Sequence, residues 1–219
     1  MAFSLNIMGM VALVQTDYAR ARTLLQQSLA IRRETGNRHG MAVALNNLGN
    51  VANAQGDYLS ARTIYEEALT IRRELGDNRG IAAALINLGE VDLQTGNSAS
   101  ARKLFEQSLA IFRELGDRYG IGESLANLGS ASAMQGDLAA GRALIEQSLV
   151  VHREAGDRLG IAKSLNSLGT VTAELGEHRT ARAQVSEALT MLRDLGDRHA
   201  IAEALRTMCR ANPNFLLEP

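Results

Sequence analysis

Leu45-Asn46-Asn47-Leu48-Gly49-Asn50-Val51-Ala52-Asn53-Ala54-Gln55-Gly56-Asp57-Tyr58 is a stretch that the chain repeats every 40 residues. Later copies begin Leu85-Ile86-Asn87-Leu88-Gly89-Glu90, Leu125-Ala126-Asn127-Leu128-Gly129-Ser130 and Leu165-Asn166-Ser167-Leu168-Gly169-Thr170. An earlier copy reads Leu5-Asn6-Ile7-Met8-Gly9-Met10, and a diverged last one reads Leu205-Arg206-Thr207-Met208-Cys209-Arg210. A fixed period of this length marks an array of small units that bury their apolar faces against one another.

Within the second copy, Met41, Ala44, Leu45, Leu48 and Ala52 recur at helical spacing. That predicts an amphipathic helix, A, over about residues 40–55. Gly56-Asp57 ends it: glycine suits a left-handed residue after a helix, and aspartate suits the N-cap of the next. A second helix, B, is predicted over about 58–75. Its apolar residues, Tyr58, Ala61, Ile64, Tyr65, Ala68, Leu69, Ile71 and Leu75, make more than one stripe, as in a helix with neighbours on two sides. Gly76-Asp77 closes the unit, and the same punctuation returns at Gly36-Asn37, Gly116-Asp117, Gly156-Asp157 and Gly196-Asp197. The inner turn returns at Gly96-Asn97, Gly136-Asp137 and Gly176-Glu177, with Thr16-Asp17 in the first copy. The chain is therefore expected to be all-α, with about 11 helices. It reads as one array over 1–211, with repeats over about 1–36, 37–76, 77–116, 117–156 and 157–196 and a half repeat at 197–211. The tail, 212–219, has neither cap nor period and is expected to be extended or disordered.

Composition agrees. The only prolines, Pro213 and Pro219, follow the last repeat, so no helix interior is broken. Aromatics are 4% with no Trp, which suits helices packed closely through small residues. A net charge of −1 gives no general attraction to nucleic acid or anionic membrane. No apolar run approaches the ~20 residues of a membrane span, and Met1–Gln15 lacks a basic leader and keeps the repeat phase. One cysteine, Cys209, excludes an internal disulfide framework and agrees with a cytoplasmic location.

These residues resemble the tetratricopeptide repeat (TPR) family. Leu48-Gly49 on helix A and Ala61, Tyr65 and Ala68 on helix B fill its small and large positions. So do Leu88-Gly89, Ala101, Phe105, Ser108 and Leu128-Gly129, Gly141, Ile145, Ser148. The period exceeds the family's usual ~34, and Arg73 stands near where a closing proline would fall. Both features resemble the 40-residue variety of Pins/LGN-type adaptors and of sensor arrays in bacterial regulators. HEAT and armadillo repeats match in length but lack this register. The resemblance implies a right-handed superhelical solenoid with the A helices lining a concave groove.

By that resemblance Asn46, Asn50 and Asn53 face the groove in the second repeat, Glu90 in the third, Ser130 in the fourth, and Asn166 and Thr170 in the fifth. Asn6 is the first repeat's groove residue, and beside this set runs a ladder, Asn47, Asn87 and Asn127, continued by Ser167 and Thr207. An amide both donates and accepts, so such a row suits the backbone of a bound peptide. It equally suits bonds between neighbouring helices that pin the repeat spacing. Arg206 and Arg210, four residues apart, offer a site for an acidic group or form the polar face of a capping helix.

Catalytic signals are weak, and a non-enzymatic scaffold binding a protein or peptide segment is expected. His39, His152, His178 and His199 sit in loops or at helix ends without metal-ligand spacing. Cys209 takes the small position of its repeat and is expected to be a buried thiol. Arg62, Arg102 and Arg142 have Glu66, Glu106 and Glu146 four residues on, which solvated pairs explain. No metal or other cofactor is expected. Two other functions remain: a sensor part of a larger signalling protein, and a self-associating module that uses the uncovered apolar helix at the N-terminus.

Overall fold

The computed structural model describes residues 1–211. The 212–219 tail lies outside the described residues. Among them are eleven α-helices and no strand. They are α1 (Ala2–Val14), α2 (Tyr18–Glu34), α3 (Arg38–Ala54), α4 (Tyr58–Leu75), α5 (Asn78–Gln94), α6 (Ser98–Leu115), α7 (Arg118–Met134), α8 (Leu138–Ala155), α9 (Arg158–Glu174), α10 (His178–Leu195) and α11 (Arg198–Ala211). Odd-numbered helices are the A helices and even-numbered ones the B helices, so the expected all-α repeat fold is present.

The predicted punctuation forms the joints. Asp17, Asn37, Asp57, Asp77, Asp117, Asp137 and Asp157 each accept a hydrogen bond from the backbone N–H three residues on. That satisfies one orphan donor at each helix start. Nine joint glycines have positive φ, between 65° and 91°. In the first repeat Thr16 takes the place of glycine at φ 61°, a conformation that disfavours a β-branched residue.

The chain divides into two compact units, Met1–Ile111 and the residues from Phe112 on. In the first, α1 packs on α2, α2 on α3, α3 on α4 and α4 on α5, and α1 also touches α3. Its core joins Leu25, Leu45, Leu48, Val51 and Ile71 in one cluster and Tyr65, Leu69, Leu85, Leu88 and Val91 in another. In the second, consecutive helices from α7 to α11 pack together, and α9 also meets α7 and α11. Ile145, Leu149, Leu165, Leu168 and Val171 form one cluster there, and Val185, Leu189, Leu192, Ala204 and Met208 another.

The Leu-Gly position works by contact. A Cβ built on Gly49 would lie 2.4 Å from Tyr65 Cε1, and one on Gly89 would lie 2.4 Å from Phe105 Cε1. The glycine backbone thus rests on the ring of helix B, and a side chain there would force the hairpin apart, at about 1–3 kcal/mol. Ser28, Ser108 and Ser148, at the position of Ala68, are fully buried. Their hydroxyls donate to the carbonyls of Ala2, Ala82 and Gly122 at 2.8, 3.0 and 2.8 Å, so each serine bonds helix B to its own helix A.

Candidate groove of the odd-numbered helices

In the first unit the asparagines bond to one another. Asn47 Nδ2 donates to Asn6 Oδ1 at 3.1 Å, and Asn87 Nδ2 donates to Asn46 Oδ1 at 2.9 Å. These rungs tie α1 to α3 and α3 to α5, each contributing about 0.5–1.5 kcal/mol. Asn50 Oδ1 accepts from the Tyr65 hydroxyl at 2.8 Å. Burial, with Glu90 nearby, pushes the Tyr65 phenol up, so it remains a neutral donor. Glu90 is half-buried. Asn53 Oδ1 is buried without a hydrogen-bond partner among the described residues.

The second unit leaves part of its row unmatched. Asn127 stands in the register of Asn47 and Asn87, and Asn166 in that of Asn46. Asn127 Nδ2 and Asn166 Oδ1 are both buried without a hydrogen-bond partner among the described residues. Ser130 donates to the Ala126 carbonyl at 3.1 Å. Thr170 and Thr207 hydroxyl oxygens lie 3.3 Å apart, and Thr170 also reaches the Asn166 carbonyl at 3.2 Å. Solvent reaches Glu123, yet desolvation still pushes its carboxyl above the ordinary range; Lys163 opposes this and Asp157 and Asp117 reinforce it. Arg206 and Arg210 are exposed on α11. Both units therefore carry unmatched amide atoms on their odd helices, while two rungs of the first are closed internally.

Several side chains are not foreseen from sequence. Asp92 is fully buried and pairs with Arg62, which also meets Glu66 at 3.4 Å. The signal is a lone acid where other repeats have Ala52, Ser132 and Thr172. Arg32 is buried and donates to the Gly40 carbonyl; Arg72, also buried, lies 4.0 Å from Asp77. His152 takes the same place on α8. It is 3% exposed, with Nδ1 2.9 Å from Asp157 Oδ2 in a geometry short of a hydrogen bond. Burial lowers its pKa, and Asp157 opposes that shift.

The predicted arginine–glutamate pairs form: Arg102–Glu106 and Arg142–Glu146 both measure 3.0 Å. The expectation of a buried Cys209 is corrected, since the residue is exposed. In the inner repeats helix B covers the equivalent glycine, and among the described residues no helix follows α11. No group of three or more metal-ligating side chains occurs among the described residues. No helix there is long and apolar enough to cross a membrane.

The Tetratricopeptide repeat family model matches residues 1–74, 40–114 and 120–194. No curated protein sequence matches the chain. Among solved structures, BtubC (BKLC) from P. vanneervenii aligns with a TM-score of 0.70 at 19% identity, over 88% of this chain and 80% of that one. The tetratricopeptide repeat sensor STAND protein PH0952 from Pyrococcus horikoshii aligns with a TM-score of 0.73 at 14% identity, over 98% of this chain and 33% of that one. A Rap protein complexed with Competence and Sporulation Factor aligns with a TM-score of 0.70 at 16% identity, over 99% of this chain and 65% of that one. At these identities the likeness is one of fold. Punctuation, glycine-on-ring packing and the matched family model together make this chain a member of the tetratricopeptide repeat family.

Proposed function

We propose that within each unit the odd-numbered helices form a non-catalytic groove for an extended or helical segment of a partner protein. The observation that carries this reading is the buried, unmatched pair Asn127 Nδ2 and Asn166 Oδ1. An unsatisfied buried polar group costs about 1–3 kcal/mol, so each amide would gain by turning outward to the carbonyl or N–H of a bound peptide. The Rap relative is complexed with Competence and Sporulation Factor, which lends the reading support by fold analogy. A peptide-array screen tests it, repeated with N127A/N166A and with N46A/N50A/N53A. A selected binder is expected to lose about tenfold in affinity on at least one variant, a change of about 1.4 kcal/mol. Unchanged binding by both would reject the groove assignment. A cytoplasmic location accompanies this reading, and cell fractionation tests it.

Two observations favour neighbouring readings. The chain spans a third of the STAND sensor protein, which supports a sensor role within a larger signalling protein. The gene's own neighbouring coding sequence would decide that, by holding or lacking a nucleotide- or DNA-binding domain. On α1, Phe3, Ile7, Met8, Val11 and Val14 are exposed, and the helix has no charged residue. This favours self-association through α1, which sedimentation at increasing concentration tests.

A further inference from the structure

The recurrent arginine of the even-numbered helices distinguishes one crevice. On α4, α6 and α8 this arginine has a carboxylate four residues on: Arg62–Glu66 at 3.4 Å, Arg102–Glu106 at 3.0 Å and Arg142–Glu146 at 3.0 Å. A second acid from the following repeat joins two of them. Asp92, fully buried, pairs with Arg62, and Glu177 meets Arg142 at 2.8 Å. Arg182 has Ser186 at the first place, and Asn212, which corresponds to Asp92, lies outside the described residues.

Arg22 on α2 lacks both the glutamate four residues on and the buried aspartate, and has Asp57 in the register of Glu177. Gln26 stands where the others have glutamate, and Ala52 stands where Asp92 would be. Its guanidinium donates to Gln55 Oε1 at 2.5 Å, a neutral partner. Asp57 is close, but Ser60 holds it: Asp57 Oδ1 accepts from Ser60 N at 3.2 Å. Its carboxyl is kept below the ordinary range first by Ser60, with Arg22 the last contributor. Where Asp92 fills the next crevice, this one holds a cavity of about 150 Å³ lined by Arg22, Asp57 and Ser60 together with Gln26, Leu48, Ala52 and Ile64. The space therefore combines a guanidinium fork, an amide, a hydroxyl and the Ser60-bound Asp57 carboxylate with an apolar floor. Planar guanidinium groups match carboxylates in a bidentate fashion.

We propose that the crevice between α2, α3 and α4 binds a carboxylate carried on a short apolar stem. The anion takes the place that the Asp92 carboxylate holds beside Arg62, and the stem lies on Leu48, Ala52 and Ile64. This site shares no residue with the asparagine row and stands whether or not the groove binds peptide.

The test is an NMR titration with sodium butyrate at constant ionic strength, following the Arg22 side-chain N–H and the Ala52 methyl. Saturable shifts are expected in the millimolar range appropriate to so small a ligand. Butanol, with the same stem and no charge, is expected to give none. R22A is expected to lose the response. A52D and Q26E each supply a carboxylate within the chain and are expected to weaken butyrate at least several-fold, while chloride leaves all spectra unchanged. A glutamate-containing peptide in a second arm distinguishes a partner's acidic side chain from a small free acid as the source. Absence of saturable shifts from both butyrate and peptide, equal shifts with butanol, or undiminished binding by R22A or Q26E would each overturn the proposal. Q26E lies at an exposed position, so the outcome does not hang on whether A52D folds.

Discussion

Replacing Arg62 with alanine would strand a buried charge. Asp92 is 0% exposed, its Oδ1 is bound by Arg62, and its Oδ2 has no hydrogen-bond partner among the described residues. Breaking a buried ion pair from one side costs about 3–5 kcal/mol. The Arg62 side chain is 37% exposed, so water replaces part of what is lost and about 2–3 kcal/mol remains. D92A should cost far less, about 0–1 kcal/mol, because removing the acid removes the burial penalty with it. Alanine already fills this place at Ala12 and Ala52, which are 2% and 3% exposed. The double variant R62A/D92A should therefore match D92A, giving a coupling of about 2–3 kcal/mol in a double-mutant cycle. Urea unfolding measures it as a shift in midpoint at constant slope. Acidification should shrink the R62A defect, because protonation neutralises the stranded carboxylate. A defect below about 0.5 kcal/mol for R62A, or a D92A defect larger than that of R62A, would refute this account, in which Arg62 offsets the burial of Asp92.

Other expectations follow from single positions. Thr16→Gly relieves the only non-glycine positive φ among the described residues and should stabilise by about 0.5–1 kcal/mol, after the entropy that glycine adds to the unfolded chain; a lower melting temperature would contradict it. His152 has its pKa lowered by burial, so the unfolded chain takes up its proton first. The stability it contributes is whole above about pH 6.5 and declines as pH falls through that value towards the folded pKa. His152→Leu, which copies Leu192 of the next repeat, should flatten the melting temperature between about pH 7 and pH 5; an unaltered pH profile would count against it. Gly49→Ala should destabilise by about 1–3 kcal/mol through the clash with Tyr65, measurable by urea midpoint, whereas Gly89→Ala combined with Phe105→Leu should recover part of the corresponding loss.

The fold is readable because its determinants are local and recur. Gly36-Asn37 and Gly56-Asp57 state a stop and a start within two residues, and they do so as caps in the structure. Leu48-Gly49 announces a close approach, and Tyr65 meets it. The side-chain network is less readable because its partners lie 30 to 41 residues apart, as in Arg62–Asp92 and Asn46–Asn87. Pattern alone gives the asparagine row two uses, and only geometry separates Asn46 and Asn87, which satisfy each other, from Asn127 and Asn166, which have unmatched atoms. The sequence places His152 at a helix end, but its burial depends on Gly122 and Gly160, the glycines against which its ring packs. Cys209 departs from expectation because the analogy with Gly49 presumes a covering helix B.

Hydrogen–deuterium exchange on the complex with an array-selected binder addresses the central claim most directly. The account predicts new protection on the odd-numbered helices, above all α7 and α9 around Asn127 and Asn166, and little on α4 or α8. Protection confined to the even-numbered helices, with α7 and α9 unchanged, would contradict it.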